Sequence, residues 1–312
     1  MRAAVVERYG PPEVAQIREV TTPHPKPREV LVRIAATTVS SGDARIRAAH
    51  FPKGFGSLAR LAIGVRRPRR PILGVCLSGT VEAVGADVTT LAPGDEVCGM
   101  TGARFGTHAE YATIAAAKLV TKPAAVSHED AAGVLFGGST ARQLLRGVQP
   151  GQSVLVVGAS GAVGTNAVQL ATIAGATVTG VTSTPNLDLV RELGADHVID
   201  YRNTDLTTVS DRFDIVFDTV GALTPATGKP LLSDGGMLIL AVASLWETIT
   251  AHGQVKAGVA AEDPEDFAAL LDHLARGELR VVVDDTLGLD DIAAAYARVD
   301  SERKVGNLIL RP

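Results

Sequence analysis

Glycines 158, 161 and 164 lie between an apolar run and an amphipathic one, in Ser153-Val-Leu-Val-Val-Gly158-Ala-Ser-Gly161-Ala-Val-Gly164-Thr-Asn-Ala-Val-Gln-Leu-Ala171. Their spacing is one that brings backbone up against a pyrophosphate. Gly161 leaves room for the phosphates, and Gly164 lets the helix lie close on the strand. The new helix aims its unpaired amides and positive dipole end at the ligand. Ala159 stands where the usual fingerprint has its first glycine, with Gly158 before it. A strand precedes this turn and a helix comes after it, so Ala159, Ser160, Gly161, Ala162, Val163 and Gly164 read as a dinucleotide-binding site. At the end of the next apolar run, Thr177-Val-Thr-Gly-Val-Thr182, a protein using NAD places an Asp or Glu on the ribose hydroxyls. Thr182 and Ser183 stand there instead, and hydroxyls do not repel a 2′-phosphate. Asp188 lies too far along the next helix to serve as the ribose carboxylate. The expected cofactor is NADPH.

The elements that would position this turn divide the chain in two. From residue 1 to about 122, short strands alternate with Pro and Gly turns: Val30-Leu-Val-Arg-Ile34, Ser78-Gly-Thr-Val-Glu-Ala-Val84, Glu96-Val-Cys98 and His108-Ala-Glu-Tyr-Ala-Thr-Ile114. This half reads as β-rich. Beyond Pro123 the period changes. Ser127-His-Glu-Asp130 has the spacing of a capping box opening a helix. After the glycine turn, strands are expected at 177–182, 197–199, 214–218 and 237–242, with a helix at 186–193 ended by Gly194. Strands alternating with helices imply a parallel, doubly wound sheet. Helices at 264–277 and 289–299 then lead to a last strand, Val305-Gly-Asn-Leu-Ile-Leu310, which could rejoin the first domain. The fold class is therefore α/β, with a β-rich domain at 1–123 and 263–312 and a nucleotide-binding domain at 124–262.

Bulk properties narrow the function classes. The 312 residues suit two domains, and a net charge of −4 with dispersed arginines, apart from Arg66, Arg67, Arg69 and Arg70, lacks the footprint of a nucleic-acid binder. The N-terminus carries no long apolar run ending at a cleavage site, and no stretch is apolar enough to span a membrane. A small-molecule partner, no membrane partner and a cytoplasmic location are expected. Cys76 and Cys98 are the only cysteines. Neither has a second Cys or a His at metal-ligand spacing, so both read as buried small apolar residues.

Along nearly its whole length the chain resembles the medium-chain dehydrogenase/reductase superfamily, in the zinc-free branch typified by zeta-crystallin-like quinone oxidoreductases. The motifs that carry the resemblance are Leu73-Gly74, Gly79-Thr-Val-Glu-Ala-Val-Gly85, Pro93-Gly-Asp-Glu-Val97, Gly106-Thr-His-Ala-Glu-Tyr111, Gly137-Gly-Ser-Thr-Ala141, Pro150-Gly151, the glycine turn, Leu193-Gly-Ala-Asp-His-Val-Ile-Asp-Tyr201 and Phe217-Asp-Thr-Val-Gly221. The resemblance implies a GroES-like catalytic domain plus a Rossmann domain, and usually a homodimer. Zinc-dependent relatives supply a Cys in the segment matching Val39-Ser40-Ser41, a His-Glu pair where Gly74 is followed here by Val75-Cys76, and a lobe with four closely spaced cysteines. Those ligands are missing, and one thiol does not hold a tetrahedral ion. The resemblance also implies cofactor contacts at Thr140, at Tyr201, at Val220 and Gly221, at Ala241 and Val242, and at a basic residue before the last strand, Lys304 or Arg303. Arg202 is a further candidate. Close relatives often place a cation soon after the Ser-Thr pair, where this chain has Pro185 and Asn186.

The activity this implies is hydride transfer from NADPH to a small apolar quinone or α,β-unsaturated carbonyl. The alternatives are an enoyl-thioester reductase, or an NADPH-binding sensor or redox-neutral protein. The segment Ala35-Ala-Thr-Thr-Val-Ser40-Ser41-Gly42-Asp43-Ala-Arg45 matches the family's active-site loop, although an Asn, often followed by Pro, commonly stands where Ser40-Ser41 occurs. Some relatives use a Tyr from the following lobe, yet no Tyr occurs between Tyr9 and Tyr111. Ser40, Asp43, Arg45 and His50 are the remaining catalytic candidates, and water is another proton source. Asp43, a carboxylate, suits orienting a neighbour better than donating. His50 belongs to the side-chain type that exchanges protons near neutrality, although a lone loop His is commonly a surface residue. Residues 51–65, apolar and rich in glycine, read as a mobile substrate lobe. The arginines after it fit either a solvated loop or the phosphates of an acyl-thioester carrier.

Overall fold

The computed structural model describes residues 1–258 and 261–312. In chain order the elements are β1 (Arg2–Val6), β2 (Ala15–Glu19), β3 (Glu29–Thr38), α1 (Ser41–Ala48), α2 (Gly56–Ile63), β4 (Cys76–Val84), β5 (Glu96–Met100), β6 (Tyr111–Ala115), β7 (Leu119–Thr121) and α3 (His128–Leu144). Next come β8 (Ser153–Val157), α4 (Ala162–Ile173), β9 (Thr177–Thr182), α5 (Leu187–Glu192), β10 (His197–Asp200), β11 (Phe213–Asp218), α6 (Pro225–Gly228), β12 (Leu232–Leu240), α7 (Leu245–Thr250) and β13 (Val255–Ala257). The chain closes with α8 (Pro264–Ala275), β14 (Val283–Gly288), α9 (Ile292–Asp300) and β15 (Asn307–Arg311).

Two compact units result. The first comprises Met1–Phe51, Gly56–Phe136 and Glu262–Pro312, and the second Pro52–Phe55 and Gly137–Ala261. The division falls inside α3, because Gly133 in its first half lies against Val281 and Ile309 of the first unit, while Gly137 lies against Ala162 of the second. In the first unit a sheet runs β14-β15-β3-β4-β5-β7, with β6 also paired to β3. Strand β15 pairs antiparallel with β3, Ile309 opposite Thr38, so the chain's last strand sits in the interior of its first sheet. Val30, Val32, Leu77, Val97 and Ile114 fill one core, and Leu73, Ile292, Tyr296, Leu308 and Leu310 another.

The second unit is a six-stranded parallel sheet, ordered β10-β9-β8-β11-β12-β13. Val154, Leu155, Val156 and Val157 of β8 are all buried, as in a parallel strand covered on both faces. The strand order reverses beside β8, between β9 and β11, which is where open α/β sheets place ligands at the carboxyl ends of their strands.

Candidate functional site

Strand β8 ends at Gly158, whose φ of +82° and missing Cβ are both required: an added Cβ would lie 2.5 Å from Val220 Cγ1 and 2.7 Å from Thr219 Oγ1. Gly164, in the first turn of α4, is required for a different reason. A Cβ there would come within 2.1 Å of the Gly158 carbonyl oxygen, so α4 lies directly on the turn. Gly161 is the N-cap of α4, with an ordinary φ of −80° and no side-chain cap on the helix's first amides. The nearest atom to a Cβ there is the Gly158 oxygen, at 3.4 Å. Ala159 is buried beneath the turn, while Ser160, Ala162 and Val163 are half-buried around it.

Thr182 and Ser183, at the end of β9, are buried. Thr182 Oγ1 donates to Ser160 Oγ at 2.8 Å, and Asn186 Nδ2 donates to the same oxygen at 3.2 Å. Turn and strand end thus form one neutral cluster of hydroxyls and an amide. Strand β9 supplies no carboxylate at this point, but sheet register brings one alongside: Asp200 of β10 pairs with Thr182. The Asp200 carboxylate accepts from Thr184 Oγ1 at 2.5 Å, Asn203 Nδ2 at 2.8 Å and the Arg202 amide at 3.0 Å. The Thr184 bond, followed by the other donors and the Arg202 charge, holds it below the usual carboxylate range.

After β10, Tyr201, Arg202, Asn203 and Leu206 form one wall of a cavity of about 490 Å³, and Ala222, Leu223 and Thr227 form another. The second wall is shaped by Asp218, a fully buried residue at the end of β11. One of its carboxylate oxygens accepts from the amides of Val220 and Gly221, each at 2.9 Å, and the other from Leu223 at 2.7 Å. Burial raises the Asp218 pKa above its ordinary value, and the backbone amides oppose that rise. The motif that contains Asp218 pointed to Val220 and Gly221 and not to the carboxylate that holds them. Val220 and Gly221 are exposed, and Val242 packs 3.2 Å from where a Cβ on Gly221 would be. Ala241 and Val242 come directly after β12, with the Ala241 amide on the Asp218 carbonyl at 2.9 Å. Thr140 is half-buried in α3, one turn on from Gly137.

The catalytic candidates belong to the first unit, where Ser40 and Asp43 form a helix cap. Ser40 caps α1: its Oγ accepts from the Asp43 amide at 3.2 Å and donates to Asp43 Oδ2 at 2.6 Å, and its own amide donates to the same oxygen at 2.8 Å. The other Asp43 oxygen accepts from the Gly74 amide at 3.1 Å. Asp43 therefore ties the start of α1 to the segment before β4. Arg45 is half-buried and His50 is exposed beyond the helix end. Lys304 turns back onto its own loop and donates to the Gly306 carbonyl. Burial brings the Lys304 ammonium down to about 8, against the opposing pull of Asp284, while Arg303 is exposed.

Beneath the cap lies a polar group that no short-range pattern announces. His108 is fully buried, and its Nε2 lies 3.0 Å from the Thr38 carbonyl. A carbonyl only accepts, so Nε2 carries the proton and Nδ1 accepts from the Tyr296 hydroxyl at 3.3 Å. Burial pushes the Tyr296 phenol well above its ordinary value. The buried Arg47 guanidinium sits 5.0 Å from the Tyr296 ring centroid and bonds Asp300 at 2.5 Å. His108 and Tyr296 stand 188 residues apart, so only the fold brings them together.

Comparison with known proteins agrees with this geometry. Residues 26–124 match the alcohol dehydrogenase GroES-like domain, and residues 193–310 match the zinc-binding dehydrogenase domain. A quinone oxidoreductase of Pseudomonas aeruginosa is 30% identical over 97% of this chain and 97% of its own length. The chain belongs to the medium-chain dehydrogenase/reductase superfamily, in its zeta-crystallin-like quinone oxidoreductase branch. An NADPH-dependent alkenal/one oxidoreductase of Arabidopsis thaliana is 27% identical over 100% of this chain and 80% of its own length. The structure of the quinone oxidoreductase from Coxiella burnetii superposes with a TM-score of 0.91 at 25% identity, covering 100% of this chain and 99% of that one. This member of the superfamily is an NAD(P)H-dependent oxidoreductase. Although one matched domain is described as zinc-binding, no group of three or more His, Cys, Asp or Glu among the described residues could hold a metal ion. Burial pushes the Cys76 thiol up to about 12.

Proposed function

We propose that this oxidoreductase is a zinc-independent, NADPH-dependent reductase of quinones or α,β-unsaturated carbonyls. The observation that carries the cofactor reading is Gly161. Gly158 and Gly164 are glycine because the protein's own atoms exclude a side chain, whereas Gly161 has ordinary backbone geometry and 3.4 Å of clearance. Its missing side chain answers to something outside the protein, and a pyrophosphate drawn onto the α4 amides fits. When bound, the cofactor supplies the hydride. Ser160, Thr182, Ser183 and Asn186 would hold its adenosine ribose. Asp200 is already committed to Thr184, Asn203 and the Arg202 amide, which leaves the hydroxyls and the Arg202 side chain to receive a 2′-phosphate. The names of the relatives support a quinone or enone as the acceptor. Ser40 donates its hydroxyl hydrogen bond to Asp43 at 2.6 Å, which supports water over Ser40 as the source of the proton that completes the reduction.

The test is NADPH consumption with 1,4-benzoquinone, 9,10-phenanthrenequinone, an alkyl enone and a crotonyl thioester, repeated with NADH and with a chelator. Chelator-resistant turnover of a quinone or enone, faster with NADPH, is the expected result. Preference for the thioester would make the protein an enoyl-thioester reductase. Tight NADPH binding without any turnover would make it a sensor or a redox-neutral protein. Thr182→Asp should shift the preference toward NADH, because a carboxylate there repels the 2′-phosphate and accepts from ribose hydroxyls. An unchanged ratio of kcat/KM values would place specificity elsewhere.

A further inference from the structure

Between Asp43 and Glu82 the chain carries eight cations and no carboxylate, although its formal net charge is −4. Arg66, Arg67, Arg69 and Arg70 are all exposed, and among the described residues no carboxylate pairs with them. Directly before them stands α2, an apolar helix that buries none of its residues. Leu58 and Leu61, one turn apart, are 56% and 64% exposed, and Val65 is 58% exposed. Helix and loop are fixed together: Tyr9 donates to the Gly64 carbonyl at 2.6 Å, and the Arg69 amide donates to the Ile63 carbonyl at 2.7 Å. Gly64 permits the tight return, since a Cβ there would lie 1.9 Å from the Arg67 oxygen.

Apolar side chains with no core to join, beside dense unpaired cations, match the boundary between acyl chains and anionic headgroups. A soluble phosphate ester would satisfy the arginines and leave the leucines in water. An apolar protein partner would satisfy the leucines and leave four guanidinium groups unpaired. We propose that α2 and residues 64–70 form a peripheral docking surface for an anionic phospholipid bilayer. This departs from the expectation drawn from composition, because net charge averages over the whole surface and does not register a local patch. The proposal does not depend on the acceptor, although a bilayer is where a lipid-soluble quinone resides.

The experiment is co-sedimentation of the full chain with vesicles of mixed phosphatidylglycerol and phosphatidylcholine, and with vesicles of phosphatidylcholine alone, at low and high salt. Two variants accompany it: Arg66→Gln/Arg67→Gln/Arg69→Gln/Arg70→Gln, and Leu58→Ser/Leu61→Ser. The wild type should bind the anionic vesicles and release them in salt, which screens exposed charges. Each variant should bind about tenfold more weakly or worse, with an unchanged Tm because none of the altered residues is buried. If the serine variant has a lower Tm, the arginine variant and the lipid dependence decide the matter. Failure of the wild type to bind, equal binding to phosphatidylcholine alone, or undiminished binding by the arginine variant overturns the proposal. So does binding of coenzyme A that depends on the arginines while vesicles are ignored, which would identify a soluble carrier.

Discussion

Within one turn, glycine answers to two different demands. Gly158 and Gly164 are held by contacts inside the protein, and Gly161 is not. Gly161→Val should therefore leave the fold intact, lowering Tm only by the cost of a poor N-cap, about 1 kcal/mol, and abolish NADPH binding measured by calorimetry. Retained affinity would remove the phosphates from this turn. Asp218 makes the opposite case, a residue whose effect runs through the backbone it holds. In Asp218→Asn one carboxylate oxygen becomes an amide that donates toward N–H groups already donating, and an unmatched buried pair of this kind costs about 1–3 kcal/mol. The turn after β11 should loosen, raising the Kd for NADPH roughly tenfold for about 1.4 kcal/mol of that cost and lowering Tm. Unchanged affinity would mean that this wall of the cavity does not meet the cofactor. The glycine turn and the hydroxyls of Thr182 and Ser183 were legible because a fingerprint is a local spacing. Asp200 was not, because its place beside Thr182 depends on the pairing of β10 with β9. Asp218 lay inside a motif that pointed to Val220 and Gly221, and only the turn geometry shows which amides its carboxylate gathers.

At the scale of elements, strands β8 to β12 of the second unit were readable because parallel strands covered on both faces leave continuous apolar runs, whereas the short α6, α7 and β13 were not. Helix α1 carried its own signal in the three-residue spacing of Ser40 and Asp43, which is the capping-box pattern. The same two side chains are also plausible catalytic groups, and that chemistry masks the cap when residue types alone are weighed. Helix α2 has apolar residues around Arg60, yet it buries none of them, so its pattern does not report a core-facing side. The link between α9 and β15 makes a titration prediction. Lys304 falls from an ordinary 10.5 to about 8 on folding, chiefly through burial. Below about pH 8 both states hold the proton and the folded state bears the full cost of a buried ammonium. Between about 8 and 10.5 the unfolded chain binds more protons, so this residue's contribution to stability improves as pH rises. Lys304→Met removes the charge at the expense of one bond to Gly306. Its Tm should exceed the wild-type value at pH 7, and the difference should shrink as pH climbs from 8 toward 10. A difference independent of pH would mean that the ammonium is solvated.

For the whole molecule, the order of the chain matters as much as its composition. The first unit is assembled from segments lying before and after the second in sequence, and the final strand completes it: β15 lies between β14 and β3, with Leu308, Ile309 and Leu310 almost wholly buried. The sequence made a returning strand conceivable through the apolar run after Gly306. Its partners are set by pairings across most of the chain's length, which no local pattern encodes. Burying three such side chains contributes roughly 5–9 kcal/mol at about 1.5–3 kcal/mol each. That is comparable with the entire stability of an ordinary domain, about 5–15 kcal/mol. A chain ending at Lys304 should therefore lose the first unit's cooperative unfolding transition in calorimetry, together with the slowest-exchanging amides of β3 and β4. The parallel sheet of the second unit takes no strand from this segment, so its amides should stay protected in the same hydrogen-exchange experiment. Loss of protection in both units at once would show that they fold as a single cooperative body, and full retention in both would show that β15 is dispensable to the sheet it completes.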